Sequence, residues 1–214
     1  TPVLNYISRN GQLMNMDLFD SNTNYNCVIA ASSGAGKSFS VNNIISNYLS
    51  IGGKAWVIDV GRSYVKLCNN YGGDFVHFGP DSNICLNPFE IVRDVEDESD
   101  MIMGLLAAMA APNETLSDFQ MQEMLKTLLE LWEKLGHELK IDNIHAELLK
   151  HEDLRIRDVG SQLFAFTSKG PYGKFFNGKN NVSFKNRFTV LELDDLQGRE
   201  HLMQVVLLQL IFQI

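Results

Sequence analysis

The sequence predicts an α/β fold: a mostly parallel sheet, preceded by an N-terminal hairpin and interrupted by an all-α insert. Three observations predict it. Short apolar runs, too brief for helices, fall at residues 26–30, 55–59, 74–78 and 188–193. Helical spacing follows the first of them, and from Asp94 to about Thr167 helical periodicity takes over completely. The 214 residues are 45% apolar, and 18 basic side chains against 26 acidic ones give a formal charge of −8. Such a chain buries a sizeable core, is no disordered or collagen-like polymer, and has the wrong overall sign for a dedicated nucleic-acid binder. Its greasiest stretch, Leu202 to Ile214, is interrupted by Gln204, Gln209 and Gln213, short of the roughly 18 apolar residues of a membrane span.

In chain order, Val3 to Phe19 reads as two extended runs around Arg9-Asn10-Gly11, where Asn-Gly supplies the positive φ of a hairpin turn. Asn26 to Ala30 is expected to be a buried strand, breaking into Ala31-Ser32-Ser33-Gly34-Ala35-Gly36-Lys37-Ser38. Val41, Ile44, Ile45, Tyr48 and Leu49 then fall at helical spacing until Gly52-Gly53. Ala55 to Asp59 is expected as a second buried strand and Asp74 to Phe78 as a third. In the insert, Met101, Leu105 and Met109 share a stripe, and Ser117-x-x-Gln120 has the form of a capping box. It opens a helix whose apolar face runs from Met121 to Leu135, read as core packing rather than a partner groove. Shorter helices are expected over 141–150 and 154–166, a strand over 188–193, and a final helix from about Gly198, apolar nearly all round. The expected organisation is a hairpin and first α/β half over 1–93, the helical insert over 94–167, and a return to the α/β core over 168–214.

Cys27, Cys68 and Cys85 are odd in number and lack C-x-x-C spacing, which fits a reducing cytosol better than a disulfide framework or a zinc site. His77, His137, His145, His151 and His201 show no ligand spacing either. The opening Thr1-Pro2 and the uncapped apolar close read as cuts within a longer chain.

Residues 31–38 match the phosphate-binding loop G-x-x-x-x-G-K-[ST] at Gly36, Lys37 and Ser38, with Ala31 in place of the first glycine. Gly34 and Gly36 let the backbone turn so that successive N–H groups face phosphate oxygens. Lys37 reaches the β- and γ-phosphates, the Ser38 hydroxyl is a Mg²⁺ ligand, and Phe39 lies in the first turn of a helix whose positive end faces the same anion. A nucleotide site with ATP and Mg²⁺ therefore spans Ala31, Ser32, Ser33, Gly34, Ala35, Gly36, Lys37, Ser38 and Phe39. Hydrolysis further needs an acidic strand end to hold the magnesium shell and a glutamate to orient water. No run of four apolar residues followed by Asp-Glu occurs in the chain. Asp59 comes nearest, either touching the magnesium shell or capping the turn to Gly61-Arg62-Ser63, with the cap favoured. Glu192, Asp194 and Asp195 read as surface or turn carboxylates. Arg62 and Arg199 are open as phosphate sensors or arginine fingers, though surface ion pairs fit them better.

One stretch opposes the global charge. Lys169, Lys174, Lys179, Lys185 and Arg187 stand among Tyr172, Phe175, Phe176 and Phe184 with no acid between Phe166 and Phe188. That is the composition of a single-strand nucleic-acid groove, but aromatics beside glycine turns also anchor a loop to a core, and the anchor is the favoured reading.

Taken in order, the loop, Val57-Ile58-Asp59-Val60-Gly61-Arg62-Ser63-Tyr64, Cys85-Leu86-Asn87-Pro88-Phe89, Gly170-Pro171-Tyr172-Gly173 and Val190-Leu191-Glu192-Leu193 resemble the TraC-type conjugative transfer ATPases of type IV secretion systems. The resemblance covers nearly the whole chain. It implies a P-loop NTPase domain of RecA-like type, hexameric in its working form, cytoplasmic and peripheral to the inner membrane. There it would work with other secretion and conjugation proteins, its ATP hydrolysis energising pilus assembly and substrate transfer. It also implies that the Walker B aspartate and catalytic glutamate lie on a strand after residue 214, so that the chain alone binds ATP poorly and turns it over negligibly. The alternative is a nucleic-acid translocase or nucleotide-gated nucleic-acid-binding module.

Overall fold

Two extended runs and a tight turn open the fold. In the computed structural model, which describes residues 3–79 and 81–213, Leu4–Ile7 (β1) pairs antiparallel with Leu13–Met16 (β2), Leu4 opposite Met16 and Ile7 opposite Leu13. Thr1, Pro2, Pro80 and Ile214, the expected cut ends among them, lie outside the described residues. Of the Asn-Gly pair only Gly11 takes a positive φ, 79°, and its N–H closes the turn onto the Ser8 carbonyl at 2.9 Å. One left-handed residue at the end of a type I turn is enough to reverse the chain.

The described residues form two units, one running up to Val76 and including Lys185–Glu192, the other comprising His77–Phe184 and the segment from Leu193 on. In the first, Lys37–Ser50 (α1) ends where the Gly53 N–H turns back to the Tyr48 carbonyl at 2.9 Å. A Cβ at Gly53 would lie 2.8 Å from that carbonyl oxygen, so glycine is needed for the close approach. Ala55–Asp59 (β3), Val65–Asn70 (α2) and Asp74–His77 (β4) follow, and Phe188–Glu192 (β5) returns from far along the chain to lie between β3 and β4. β3 and β5 run parallel, Ala55 opposite Phe188 and Asp59 opposite Glu192.

Beneath this sheet Leu49, Cys68, Phe188 and Val190 form a buried cluster, with Ile45, Ala55, Val57, Tyr64, Leu67 and Phe75 packed against it. Each fully buried side chain of this size contributes about 2 kcal/mol. The helix α2 carries no periodic signal in the sequence because six residues are under two turns; it is held by burying Cys68.

Two strand expectations are corrected here. Asn26–Ala30 is neither a strand nor buried: every residue from Ser21 to Lys37 is exposed, Val28 at 92%. An apolar pentapeptide becomes a strand only when a neighbour offers its ladder, and among the described residues none pairs with it. β3, expected to be buried, is half open: side chains alternate along a strand, so Ala55 and Val57 face the cluster, whereas Trp56 and Ile58 point to the opposite face and are exposed. The central β5 is buried throughout.

The second unit is helical where the sequence predicts it. Between Asp94 and Thr167 the described elements are all helical: Val95–Ala110 (α3), Asp118–Leu135 (α4), Ile141–Leu148 (α5), Leu154–Gln162 (α6) and short 3₁₀ turns. Asp94 caps α3 by accepting from the Glu96 and Asp97 N–H groups, and three acids in the first turn face the positive helix end. The capping box of α4 forms as predicted, Ser117 and Gln120 each taking the other's backbone N–H. Leu105 and Met109 of α3 and Met124 and Leu128 of α4 are buried, but Met121, Leu125, Trp132 and Leu135 are half-buried and Leu129 is exposed, so the core takes only part of the α4 apolar face. The last helix, Glu200–Gln213 (α7), packs on α3, with His201 Nε2 2.9 Å from the Ala108 carbonyl and its ring edge-on to Phe166 at 5.0 Å, while Ile211 stays exposed.

Candidate functional site

The loop before α1 has the backbone its glycines predict. Gly34 and Gly36 have φ of 76° and 90°, conformations that L side chains rarely adopt, and a Cβ at either would meet nothing within 4 Å. The glycines are therefore there for backbone direction and not for lack of room. The Ala35 N–H folds the loop onto the Ser32 carbonyl at 3.1 Å, and α1 begins with the Ser40 N–H bonded to the Gly36 carbonyl at 2.9 Å.

At this helix start Gly36 offers no side-chain cap and no acid stands in the first turn. The N-terminal N–H groups thus open outward with the positive helix end behind them. Lys37 and Phe39 are exposed and Ser38 is half-buried. Exposed N–H groups, one ammonium and one hydroxyl are the donor set that a nucleotide's phosphates and their magnesium require, so the residues present fit the group.

A turn anchored on β5 stands behind the loop. Asn42, one helical turn after Ser38, donates from Nδ2 to the Ser38 carbonyl at 2.8 Å and to the Ser63 carbonyl at 3.3 Å. The Ser63 N–H in turn donates to Asp59 Oδ2 at 2.8 Å. Asp59 therefore caps the turn after β3, the reading favoured from sequence, and is joined to the Ser38 end of α1 through Ser63 and Asn42. Burial, helped by the charge of Asp59, pushes the Tyr64 hydroxyl above its ordinary value.

Glu192 corrects the sequence reading outright. It is no surface carboxylate: at 0% exposure it accepts the N–H groups of Gly61 at 3.1 Å and Arg62 at 2.8 Å. Central β5 carries it inward, and a carboxylate so buried persists only where charge-assisted hydrogen bonds replace water. Arg62, held open above as a finger, is left-handed at φ 57°, alone among the described non-glycine residues. Asp194 and Asp195 remain turn carboxylates, in the 3₁₀ turn Asp194–Leu196, and Arg199 is exposed.

Phe175 and Phe176 of the basic stretch are buried, packed near Phe78 and Phe166 at ring separations of 6.0 and 5.5 Å. Tyr172 lies 5.3 Å from Phe166. Phe175 and Phe176 thus anchor the loop to that core, while Tyr172 and Phe184 stay half-buried. A Cβ at Gly173 would fall 1.9 Å from the Thr167 carbonyl oxygen, which is how tightly the loop is drawn onto that core. Among the described residues no cluster of three His, Cys, Asp or Glu side chains is placed to hold a metal ion, and no helix is long and apolar enough to cross a membrane.

Comparison with known proteins meets this geometry at the loop. The sequence model of the TraG P-loop domain matches residues 8–214. The chain belongs to the TraG P-loop domain family. Protein TraC of Escherichia coli strain K12 is 29% identical over 218 residues, which cover 95% of this chain and 25% of TraC. The structure of VirB4 of Thermoanaerobacter pseudethanolicus superposes with a TM-score of 0.78 at 19% identity, covering all of this chain and 63% of that one. The fold is thus that of a P-loop NTPase, and this TraG-family chain spans a quarter of TraC's length. Within that fold, sequence reasoning missed Asn42 and Glu192, whose partners lie 21 and about 130 residues away.

Proposed function

We propose that this chain is the ATP-binding part of a type IV secretion or conjugation motor ATPase. The observation that carries the reading is the left-handed pair Gly34 and Gly36, which delivers an exposed loop to the uncapped start of α1 at Lys37 and Ser38, in a chain of the TraG P-loop family. In this reading residues 31–39 cradle the phosphates with backbone N–H groups, Lys37 neutralises the β- and γ-phosphates, and the Ser38 hydroxyl meets the magnesium ion. When bound, the metal nucleotide supplies the phosphoryl group whose hydrolysis energises pilus assembly and substrate transfer.

Asp59 is assigned to the turn, with any contact to the magnesium shell routed through water. The magnesium-holding aspartate and the water-orienting glutamate are assigned to a strand after residue 214, so turnover by this chain alone is negligible. The working form is a hexamer, cytoplasmic and peripheral to the inner membrane, among other secretion and conjugation proteins. The translocase alternative is disfavoured by the buried rings of the basic loop.

Titration with a fluorescent ATP analogue in the presence of Mg²⁺ tests the reading. Binding is expected to be weak but saturable, and Lys37→Ala to weaken it at least about tenfold, the usual scale for losing a charged hydrogen-bond donor. Equal binding by both proteins would overturn the assignment.

A further inference from the structure

We infer that Glu192 is a positioning residue for the nucleotide site, acting through the Gly61–Ser63 turn and Asn42 on the Ser38 end of α1. The inference rests on the nucleotide reading above and extends it to a residue outside the loop. Two successive backbone N–H groups, of Gly61 and Arg62, converge on one buried carboxylate, an anion-holding concavity that the chain fills with its own side chain. Both oxygens are engaged, which fits a structural anchor and not a free general base.

What the anchor holds is a conformation that the sequence would not choose. Gly61 has φ 128°, and Arg62, at 57°, carries a side chain in the left-handed region, a state that persists only where surroundings over-determine it. With the turn so held, the Ser63 N–H reaches Asp59 and its carbonyl receives Asn42, whose same amide grips the Ser38 carbonyl. Release of the turn removes Asn42's second partner and loosens the first turn of α1, where the Ser38 hydroxyl is proposed to meet magnesium. β3 and β5 pair Asp59 with Glu192 in register, so the turn and its anchor are fixed at the same end of the sheet.

The test is titration with the fluorescent ATP analogue, once with Mg²⁺ and once with EDTA, on wild type, Glu192→Gln, Asn42→Ala and Glu192→Gln with Arg62→Gly. A carboxamide accepts only one of the two N–H groups. Glu192→Gln is therefore expected to lose about tenfold in Mg²⁺-dependent affinity, the scale for removing an outer support of a metal ligand, while binding in EDTA stays unchanged. Amide exchange at Gly61 and Arg62 should quicken in the same variant without nucleotide. Arg62→Gly, which needs no anchor to be left-handed, should restore most of the loss. Asn42→Ala, at a half-buried helix position, should reproduce it, and decides the matter if Glu192→Gln does not fold. Wild-type Mg²⁺ dependence in the tested variants, or equal losses with Mg²⁺ and EDTA, overturns the inference. Absence of binding by wild type, or full binding by Lys37→Ala, instead brings down the nucleotide reading and the inference with it.

Discussion

The Tyr48 hydroxyl donates to Asp17 Oδ1 at 2.7 Å, tying the segment after the hairpin to the helix that follows the phosphate-binding loop. The same hydroxyl accepts the Leu18 N–H at 2.7 Å. The Phe19 N–H, and after it the Tyr48 hydroxyl, hold the Asp17 carboxyl below its ordinary range, while burial and then the bond to Asp17 push Tyr48 up. A lowered folded value means that this tie is fully present above about pH 4, the ordinary carboxylate value, and is lost as pH falls through the lower folded one. An NMR titration should find Asp17 titrating below that value. Tyr48→Phe should raise its midpoint only part of the way, because Phe19 still donates; no change on substitution would contradict the geometry.

Ser117→Ala removes one half of the capping box that starts α4. The expected cost is about 1 kcal/mol, which for a chain of this size lowers the thermal midpoint by roughly 2–4 °C. Circular dichroism melting checks it, and an unchanged midpoint would show that the helix start is held by packing alone.

Cys27 is exposed in the segment before the loop, whereas Cys68 and Cys85 are buried, their thiols pushed up by burial. A thiol reagent at neutral pH should label one of the three cysteines rapidly in the folded protein and all three after denaturation. Rapid labelling of Cys68 would mean that the core under the sheet opens readily.

Single-stranded DNA is expected to bind weakly and with a shallow salt dependence, since Phe175 and Phe176 are spent on the core. Tight binding with a log–log salt slope near about −4, lost on neutralising Lys174 and Lys179, would restore the translocase reading.

Features set by neighbouring residues were legible in the sequence. The loop glycines, the Ser117–Gln120 box and the insert helices depend on contacts within a few positions, and each formed where its pattern placed it. Features set across the chain were not. Asn26–Ala30 reads as a strand by composition, yet a strand exists only with a ladder partner, which no local pattern announces. Glu192 reads as a surface charge because its solvation comes from two N–H groups about 130 residues earlier. Nothing near Asn42 in sequence points to Ser63, and the six residues of α2 are too few for a period to show.

The central claim, that the loop ahead of α1 cradles nucleotide phosphates, is tested most directly by mapping backbone amide resonances while Mg²⁺–ATP is added. The account predicts saturable shifts concentrated at Gly34, Gly36, Lys37 and Ser38, and their loss in Lys37→Ala. Resonances of these four residues that stay in place while others move at saturation would contradict it.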